Sequence, residues 1–328
     1  MVKAPFDEAT AKALENSLAP TLRELSAVRA DVIKRVKARS VTRVPLGVAG
    51  AFLWWVILQS TADAPDLFDL IPLCGLGALL GYGWAMAKLN REFKRLYKDR
   101  VLPQLAARFG DLTYQHATSA RIDALRAHRI FRDFTEASVD DEIVGSYRGL
   151  PVSIVEVRLA GASTNDPSSV FDGLVIEVVL PRNLTGTTAV IADEGLLGNL
   201  KARLQSDSLQ HVRLEDPRFS ERYQVYSTDQ IEARALLTPA FITRFSALAE
   251  MSGFWLPGAL AEGNSLVVAL PKRSSVDLFE PPDYWEGEVT AGKTLLALSQ
   301  DIKAVLQMAD AVIDLDFWAK GRRPSAGP

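Results

Sequence analysis

Two long stretches without a charged residue constrain this chain more than any other feature. Residues 44–62 (VPLGVAGAFLWWVILQSTA) and residues 70–87 (LIPLCGLGALLGYGWAMA) contain no Asp, Glu, Lys or Arg. As helices they would reach about 27–28 Å, close to the ~30 Å thickness of the hydrocarbon core of a bilayer. The sequence therefore predicts two transmembrane helices, joined by a short loop at residues 63–69.

The glycines of the second stretch allow another interpretation, because glycine-rich loops also bind phosphate groups. Such a loop follows a strand and opens an amphipathic helix, whereas Gly75, Gly77 and Gly81 lie inside an apolar run. Gly77 and Gly81 are four residues apart on one helix face, so a second helix could approach closely there. We predict that this face packs against Trp54 or Trp55. A buried helical hairpin in a soluble core is the alternative.

The charges around the two stretches favour a membrane and predict an orientation. The outer flanks carry the basic residues Lys34, Arg35, Lys37, Arg39 and Arg43, and then Lys88, Arg91, Lys94 and Arg95. The loop between the stretches is acidic, with three aspartates and no basic residue. Because lysine and arginine stay on the cytoplasmic side, we predict a multi-pass inner-membrane protein with both termini cytoplasmic. The basic residues would also contact anionic headgroups of the bilayer.

Apolar residues recur at helical spacing on both sides of the predicted hairpin. The stripe in residues 1–43 consists of Leu14, Leu18, Leu22, Leu25, Val32 and Val36, with Val28 or Arg29 at the intervening turn. This amphipathic helix packs on the protein's own domain or pairs with a second copy as a coiled coil, which would make a homo-oligomer. A second pattern (Phe93, Leu96, Val101, Leu105, Phe109) predicts a juxtamembrane helix over residues 88–110 that ends at Gly110.

Strand and helix patterns alternate irregularly over residues 111–318, which we expect to form a cytoplasmic domain. Strands are predicted around Arg148-Gly149, at 170–180, 187–193 and 222–227, and in a hairpin turning near Gly263-Asn264. Helices are predicted after N-cap residues at Ser119 and Thr228, over 195–204, from Thr238-Pro239 to Gly253, and from about Thr290. The unequal clusters favour an α+β fold with a mostly antiparallel sheet. Residues 319–328 are predicted to be a disordered tail.

The predicted fold is thus an α+β membrane protein with a two-helix transmembrane hairpin, flanking amphipathic helices and a cytoplasmic α+β domain. Composition excludes several functions for it. The net charge of −3 argues against a nucleic-acid partner. A single cysteine, Cys74, excludes an intramolecular disulfide and a cysteine zinc site. The three histidines are scattered, so we predict no metal site and no cofactor.

Two motifs of the common hydrolases are missing from the sequence: it has no G-x-S-x-G and no H-E-x-x-H. Carboxylates do cluster at Asp229 and Glu232, three residues apart, with Arg234 beside them. Such a pair could perform acid–base catalysis or bind a cation. The favoured interpretation is structural, with Asp229 in the first turn of a helix and Glu232 paired with Arg234 or Arg222.

Three segments resemble a bacterial family of unknown function, the domain-of-unknown-function family numbered 3137. They are VRLEDPRFSERYQVYSTDQIEARALLTPAFITRF, FDGLVIEV and DLFEPP. The resemblance extends from about Phe93 to Asp314 and is most specific over residues 212–245. It departs at NLTGTT, where the family pattern implies an aromatic residue in place of Leu184. It implies a paired-span membrane protein with a cytoplasmic α+β domain, no established activity, and a membrane-protein partner of the LemA type.

The sequence therefore predicts a membrane-anchored module of unknown biochemical role at the bacterial inner membrane. We expect a non-enzymatic protein-interaction or scaffolding component, because anchors are visible and catalytic motifs are not. A lipid-binding or small-ligand-binding domain tethered to the membrane is one alternative. An enzyme that uses carboxylates near Asp229 and Glu232 is the other.

Overall fold

The computed structural model describes residues 8–59, 70–131, 133–161, 169–192, 208–251, 253–273, 278–281, 283 and 288–313. The chain divides into two compact units. Residues 7–104 and 279–297 form the first, which we call the hairpin unit. Residues 1–6, 105–278 and 298–328 form the second, the sheet unit.

Two long helices dominate the hairpin unit. Helix α1 runs from Glu8 to Leu58 and helix α2 from Leu70 to Leu96. The helical path continues through a π-helical turn at Tyr97–Val101, helix α3 at Leu102–Ala106 and a 3₁₀ turn at Ala107–Phe109. Among the described residues, two helical spans, Ala19–Leu58 and Leu70–Phe109, are long and apolar enough to cross a membrane. The predicted loop at 63–69 lies outside the described residues.

The seam between α1 and α2 is built from glycine backbone. A Cβ atom on Gly77 would overlap the carbonyl oxygen of Gly47 and lie 2.7 Å from the Cβ of Ala51. A Cβ on Gly81 would lie 2.6 Å from the carbonyl oxygen of Arg43. Non-bonded carbon atoms do not approach so closely, so the two helices can adopt this spacing only because both positions lack a side chain.

The two tryptophans of α1 do not supply the nearest atoms at this seam. At Gly77 and Gly81 those atoms come from the backbone of α1 and from a small side chain, where we expected an indole ring. Trp54 is 56% exposed. Trp55 is half-buried and stacks on Phe52, with 6.1 Å between the ring centroids. Because glycine lies on both helices, the backbones come too close to leave room for a tryptophan between them.

The apolar stripe of α1 is buried within the chain. Leu25, Val28 and Val32 are each at most 3% exposed. Val28, and not Arg29, therefore continues the stripe through the intervening turn. The burial of these three residues favours packing of the helix within its own chain, and pairing with a second copy stays a prediction. The side chains of Leu14 and Leu18 lie outside the part that the structure describes.

The sheet unit consists of strands and short helices. Its strands are β1 (Asp111–His116), β2 (Glu136–Tyr147), β3 (Leu150–Ala160), β4 (Ser169–Val179), β5 (Thr188–Ala192), β6 (Gln210–His211), β7 (Tyr223–Ser227), β8 (Gly258–Glu262) and β9 (Ser265–Pro271). Its helices are α4 (Ser119–Ala127), α5 (Pro217–Ser220), α6 (Gln230–Leu236) and α7 (Pro239–Leu248). Helix α8 (Glu288–Ile313) has its first part in the hairpin unit and its second part here.

The strands form one sheet in the order β1-β2-β3-β4-β9-β8-β5-β7-β6. Every pairing among the described strands is antiparallel, which confirms the predicted α+β class. The predicted turn at Arg148-Gly149 joins β2 to β3, and both residues have positive φ, 50° and 86°. The hairpin of β8 and β9 turns at Gly263-Asn264, where Gly263 has a φ of 56°.

One face of the sheet carries an apolar cluster that joins both halves of the sheet. Its members on the central strands include Val155, Val175 and Val267, all at most 2% exposed. Leu125 of α4 and Ile130 after it complete the cluster and are fully buried. Because alternate residues of a strand point to the same face, this cluster fixes the register of the strands.

Some predicted helix starts shift by one residue, and one predicted helix is not described. Thr118 precedes α4 where Ser119 was expected. Asp229, and not Thr228, caps α6, because its carboxylate accepts the N–H groups of Ile231 and Glu232. Helix α7 starts at Thr238-Pro239 as predicted, but it ends at Leu248, before Gly253. The predicted helix over 195–204 and the tail at 319–328 lie outside the described residues.

Candidate functional site

An open cleft with three arginines in its lining lies on the described part of the sheet unit. It is lined by residues 213–218, Arg234, Leu237, Pro239 and Ile242, and has a volume of about 920 Å³. Its ionisable residues are three arginines and two acids. We call it the basic cleft.

The first wall of the basic cleft is a short loop that the sequence makes rigid. Asp216 caps α5 by accepting the backbone N–H of Phe219 at 3.0 Å, and Pro217 occupies the first helical position. Phe219 is 2% exposed and stacks on Tyr223, with 4.7 Å between the ring centroids. The buried ring anchors the loop, so exposed Arg218 projects from a fixed backbone.

The second wall contributes Arg234, which is held by a chain of hydrogen bonds. Its guanidinium donates to the backbone carbonyl and to the side-chain Oε1 of Gln230, both at 3.2 Å. The amide of Gln230 in turn donates to the side chain of Gln210 on β6 at 3.0 Å. Two of the five N–H donors of the guanidinium are used in this way. Gln230 therefore holds Arg234 in position, and the remaining three N–H donors can still bind an anion.

The apolar part of the cleft comes from the junction of α6 and α7. Leu237 and Ile242 are 4% and 7% exposed and line the cleft beside Pro239. Thr238 starts α7 by accepting the backbone N–H of Phe241 at 3.2 Å. The N-terminal end of a helix carries a partial positive charge. The cleft therefore combines an apolar surface with positive potential.

The carboxylates that the sequence singled out hold the fold together. Asp229 caps α6 and accepts the hydroxyl of Thr185 at 3.2 Å. The backbone N–H of Glu232 is the main cause that lowers the pKa of Asp229. Glu232 is 6% exposed and accepts the backbone N–H of Thr185 at 3.0 Å and of Gly186 at 2.8 Å. The expectation of an arginine partner for Glu232 is wrong, since backbone amides take that place and Arg234 bonds to Gln230.

A second charged network lies on β2, β3, β4 and α4. Arg121 contacts Glu142 at 3.2 Å and Glu177 at 3.0 Å, and His128 contacts Glu177 at 3.3 Å. Ser153 donates to Glu142 at 2.9 Å. The hydrogen bond from His128 lowers the pKa of Glu177 to about 2, although burial opposes this effect. No sequence motif brings these residues together, because they come from four separate elements.

The geometry of this second network is that of a structural ion-pair cluster. In a Ser–His–acid triad the histidine must accept a proton from the serine. Here His128 contacts Glu177, whereas Ser153 donates to Glu142. Arg121 bridges the two carboxylates. The network stabilises the packing of α4 on the sheet.

In the described part of the chain, one group has side chains close enough to hold a metal ion. Ligand atoms of His116, Asp140 and Asp141 lie within 4.8 Å of one another, because β1 and β2 pair there beside a register shift. Asp141 is buried and accepts the hydroxyl of Tyr114. The three residues all take part in further interactions. An ordinary histidine–aspartate ion-pair cluster has the same geometry, so we assign no metal.

The basic residues at the flanks of the hairpin divide into exposed and paired side chains. Lys34, Lys37, Lys88 and Arg91 are exposed, and so is Arg95, which pairs with Asp99 at 3.9 Å. Glu92 joins the two helices by accepting from Arg35 and Arg39. Lys94 contacts Glu280 at 2.7 Å, and the guanidinium of Arg43 lies 3.9 Å above the ring of Trp84. Several of the basic residues that were predicted to contact lipid headgroups therefore contact a carboxylate or an aromatic ring of the protein instead.

The basic cleft lies within a segment that has relatives. Residues 169–313 match the model of the family "Protein of unknown function (DUF3137)". The match confirms the resemblance inferred from the sequence, although it begins at residue 169 and not near Phe93. All residues that line the cleft fall inside the DUF3137 segment. No curated protein matches the chain.

One solved structure that resembles the chain is the mycobacterial trehalose monomycolate transport factor A, TtfA. The similarity covers 63% of this chain and 96% of that chain, with 14% sequence identity and a TM-score of 0.34. A likeness of this degree supports no conclusion on the fold or function of the DUF3137 segment.

The basic cleft was not predicted from the sequence because the residues that line it are far apart along the chain. Arg213 lies in a loop, Arg218 lies in the short helix α5 that follows it, and Arg234 lies sixteen residues beyond Arg218 on α6. Each arginine by itself resembles any solvated surface charge. The available signal was the run VRLEDPRF, in which two arginines flank an Asp-Pro helix start that fixes the loop between them.

Proposed function

We propose that this protein is a membrane-anchored module whose sheet unit binds a partner protein and catalyses no reaction. The hairpin unit supplies the anchor, and the basic cleft supplies the binding surface. The proposed location is a bacterial inner membrane, which the hairpin unit spans with both termini on the cytoplasmic side. The domain boundaries predicted from the sequence belong to the same proposal.

The observation that carries the anchor is the outward orientation of large apolar side chains on α1 and α2. Leu46, Leu53, Leu76, Leu79 and Leu80 are 53–69% exposed. A soluble protein rarely exposes a contiguous apolar patch larger than a few hundred Å². The glycine seam turns these side chains away from the helix pair, where the acyl chains of a bilayer would cover them.

The charges at the helix ends support the proposed orientation. Exposed Lys34 and Lys37 precede the apolar part of α1, and exposed Lys88 and Arg91 follow that of α2. The cytoplasmic side of a membrane retains loops rich in lysine and arginine. Both ends of the hairpin would therefore face the cytoplasm, with residues 63–69 on the other side.

The hydrogen bonds of the candidate catalytic carboxylates support a binding function over catalysis. Glu232 and Asp229 are engaged by backbone amides. Catalytic acids and bases need a path to the substrate and a pKa near the working pH. The basic cleft offers arginines, whose guanidinium groups bind anions. Such a surface suits recognition.

Alkaline extraction tests the anchor. We expect the full-length chain to stay in the membrane pellet after carbonate washing and to dissolve only in detergent. Cys74, on the apolar part of α2, should resist a membrane-impermeant thiol reagent until detergent is added. Recovery of the chain in the carbonate supernatant, or labelling of Cys74 in intact membranes, would contradict the proposal.

Site-specific photocrosslinking in cells tests the binding function. A crosslinking amino acid at position 218, in the basic cleft, should give a discrete adduct with another protein. The same amino acid at position 108, an exposed arginine outside the cleft, is the matched control. Equal adduct patterns at both positions would argue against a partner at the cleft.

A further inference from the structure

We propose that the basic cleft binds an extended acidic segment of a partner protein, in which an apolar side chain lies between carboxylates. This inference rests on the proposed binding function and adds the chemistry of the partner. It is argued from the charge of the cleft, the rigidity of its walls and its apolar surface.

The charge of the cleft selects an acidic ligand. Arg213 and Arg218 line it from one side and Arg234 from the other, and all three are exposed. Of the two acids in the lining, Asp216 caps α5 and Glu215 is exposed, so three arginines against two acids leave a net charge of +1. Guanidinium groups bind carboxylates with paired hydrogen bonds. A ligand with several carboxylates would match three guanidiniums in separate positions.

The walls of the cleft are fixed before the ligand arrives, which reduces the entropy lost on binding. The Gln210–Gln230–Arg234 hydrogen-bond chain holds one arginine. The buried ring of Phe219 holds the loop that carries Arg218. A surface arginine without such supports would lose more side-chain freedom for the same contact.

The volume and the apolar surface favour a peptide over a small anion. A volume of about 920 Å³ lies near the upper end of the ~300–1,000 Å³ range of small-molecule sites, so one phosphate would leave most of it to water. Half-buried Leu214 and exposed Pro239 contribute apolar surface that no phosphate can use, and the nearly buried Leu237 and Ile242 line the cleft beside them. An apolar side chain flanked by acids would occupy both kinds of surface.

A neighbouring apolar residue extends this surface. Ile231 is 82% exposed, the largest exposure among the large apolar side chains of the described residues. It lies three positions before Arg234 on α6, so the two side chains share one helix face. A partner segment that reaches Arg234 could also cover Ile231. A single lipid headgroup would not be expected to do so.

Peptide binding to the full-length protein tests the inference. The protein is placed in nanodiscs of neutral lipid, and the probe is a fluorescein-labelled peptide of sequence ELEELE, read by fluorescence anisotropy. The peptide KLKKLK with the same label is the charge-reversed control. We expect saturable binding of the acidic peptide only, weakened by salt because the contacts are ionic.

Variants locate the binding surface. The pair Arg213→Gln and Arg218→Gln should raise the Kd for the acidic peptide about fivefold to tenfold, as expected for two exposed ion pairs. The matched control pair is Arg108→Gln and Arg158→Gln, which removes two exposed arginines elsewhere. Thermal unfolding checks that both pairs remain folded. An Ile231→Ser variant should weaken peptide binding without changing its salt dependence.

Three outcomes would overturn the inference. They are no saturable binding of the acidic peptide, equal losses in the cleft and control pairs, and complete displacement by glycerol 1-phosphate at the concentration expected for a lipid headgroup site. The last outcome would assign the cleft to a phospholipid. If the peptide fails while position 218 still crosslinks a protein in cells, the binding function stands and only the acidic chemistry is wrong.

Discussion

Oε2 of Glu232 accepts the backbone N–H of Gly186 at 2.8 Å and ties α6 to the loop before β5. The same carboxylate accepts the N–H of Thr185, so one buried anion satisfies two amides. We predict that Glu232→Ala destabilises the sheet unit by about 2–3 kcal/mol, because hydrogen bonds to a charged group are lost and two amides lose their partner. Denaturant unfolding of the purified protein measures the change.

The matched control for this prediction is Glu215→Ala. Glu215 is also acidic and lies in the basic cleft, but it is exposed. Its removal should change the free energy of unfolding by no more than about 0.5 kcal/mol. Equal effects of the two substitutions would refute a structural role for Glu232 and return it to the list of candidate catalytic groups.

The glycine seam gives a second prediction. Gly77→Leu should destabilise the hairpin by about 1–3 kcal/mol, as overpacking does elsewhere, because its Cβ would overlap the backbone of Gly47. Gly75→Leu lies on the same helix, and a Cβ there meets no atom within 4 Å. The melting temperature in detergent should fall for the first variant and not for the second. Identical melting temperatures would contradict the seam.

How far the sequence predicted these features depends on whether their cause is local. Helix periodicity, charge-free runs and turn residues such as Arg148-Gly149 are local, and the structure agrees with them. The choice between Thr228 and Asp229 as the cap of α6 failed by one residue, because both side chains can accept an amide and only the loop contacts decide. Hydrogen bonding to Thr187 occupies the hydroxyl of Thr228 instead.

The parts that the sequence did not predict are contacts between distant residues. No pattern in residues 229–234 indicates that Glu232 accepts a hydrogen bond from the backbone N–H of Gly186, which lies 46 positions away. The contact between α1 and α2 could partly have been predicted from the sequence, since Gly47 and Ala51 are four residues apart and repeat the spacing of Gly77 and Gly81. That small-residue pattern on the first helix predicts the partner better than the bulky tryptophans do.

The charged network on the sheet gives a prediction for acid pH. The pKa of Glu177 is lowered to about 2, mainly by the hydrogen bond from His128. A lowered carboxyl pKa adds stability that is present above the unfolded value near 4.5 and is lost as the pH falls toward 2. The stability difference between wild type and Glu177→Gln should therefore shrink between pH 5 and about pH 2.

Urea midpoints at pH 7, 4 and 3 measure this difference. The exposed Glu136 provides the control variant, Glu136→Gln, whose difference from wild type should stay nearly constant over the same range. A constant difference for Glu177→Gln as well would mean that the carboxylate of Glu177 is not stabilised by its neighbours in the folded protein.

A carboxylate in α8 gives the opposite pH dependence. Burial raises the pKa of Asp301 to about 6, so the folded state binds a proton more tightly than the unfolded chain does. The stability contributed by this proton is full below the ordinary value near 3.8 and is lost as the pH rises to about 6. Asp301→Asn should therefore stabilise the protein at pH 7 and have little effect at pH 3.5.

The exposed surface residue Asp123 on α4 is the control, because Asp123→Asn should show no such crossover. Calorimetry at both pH values measures the effect, and a destabilising Asp301→Asn at pH 7 would show that a charged partner compensates for the burial.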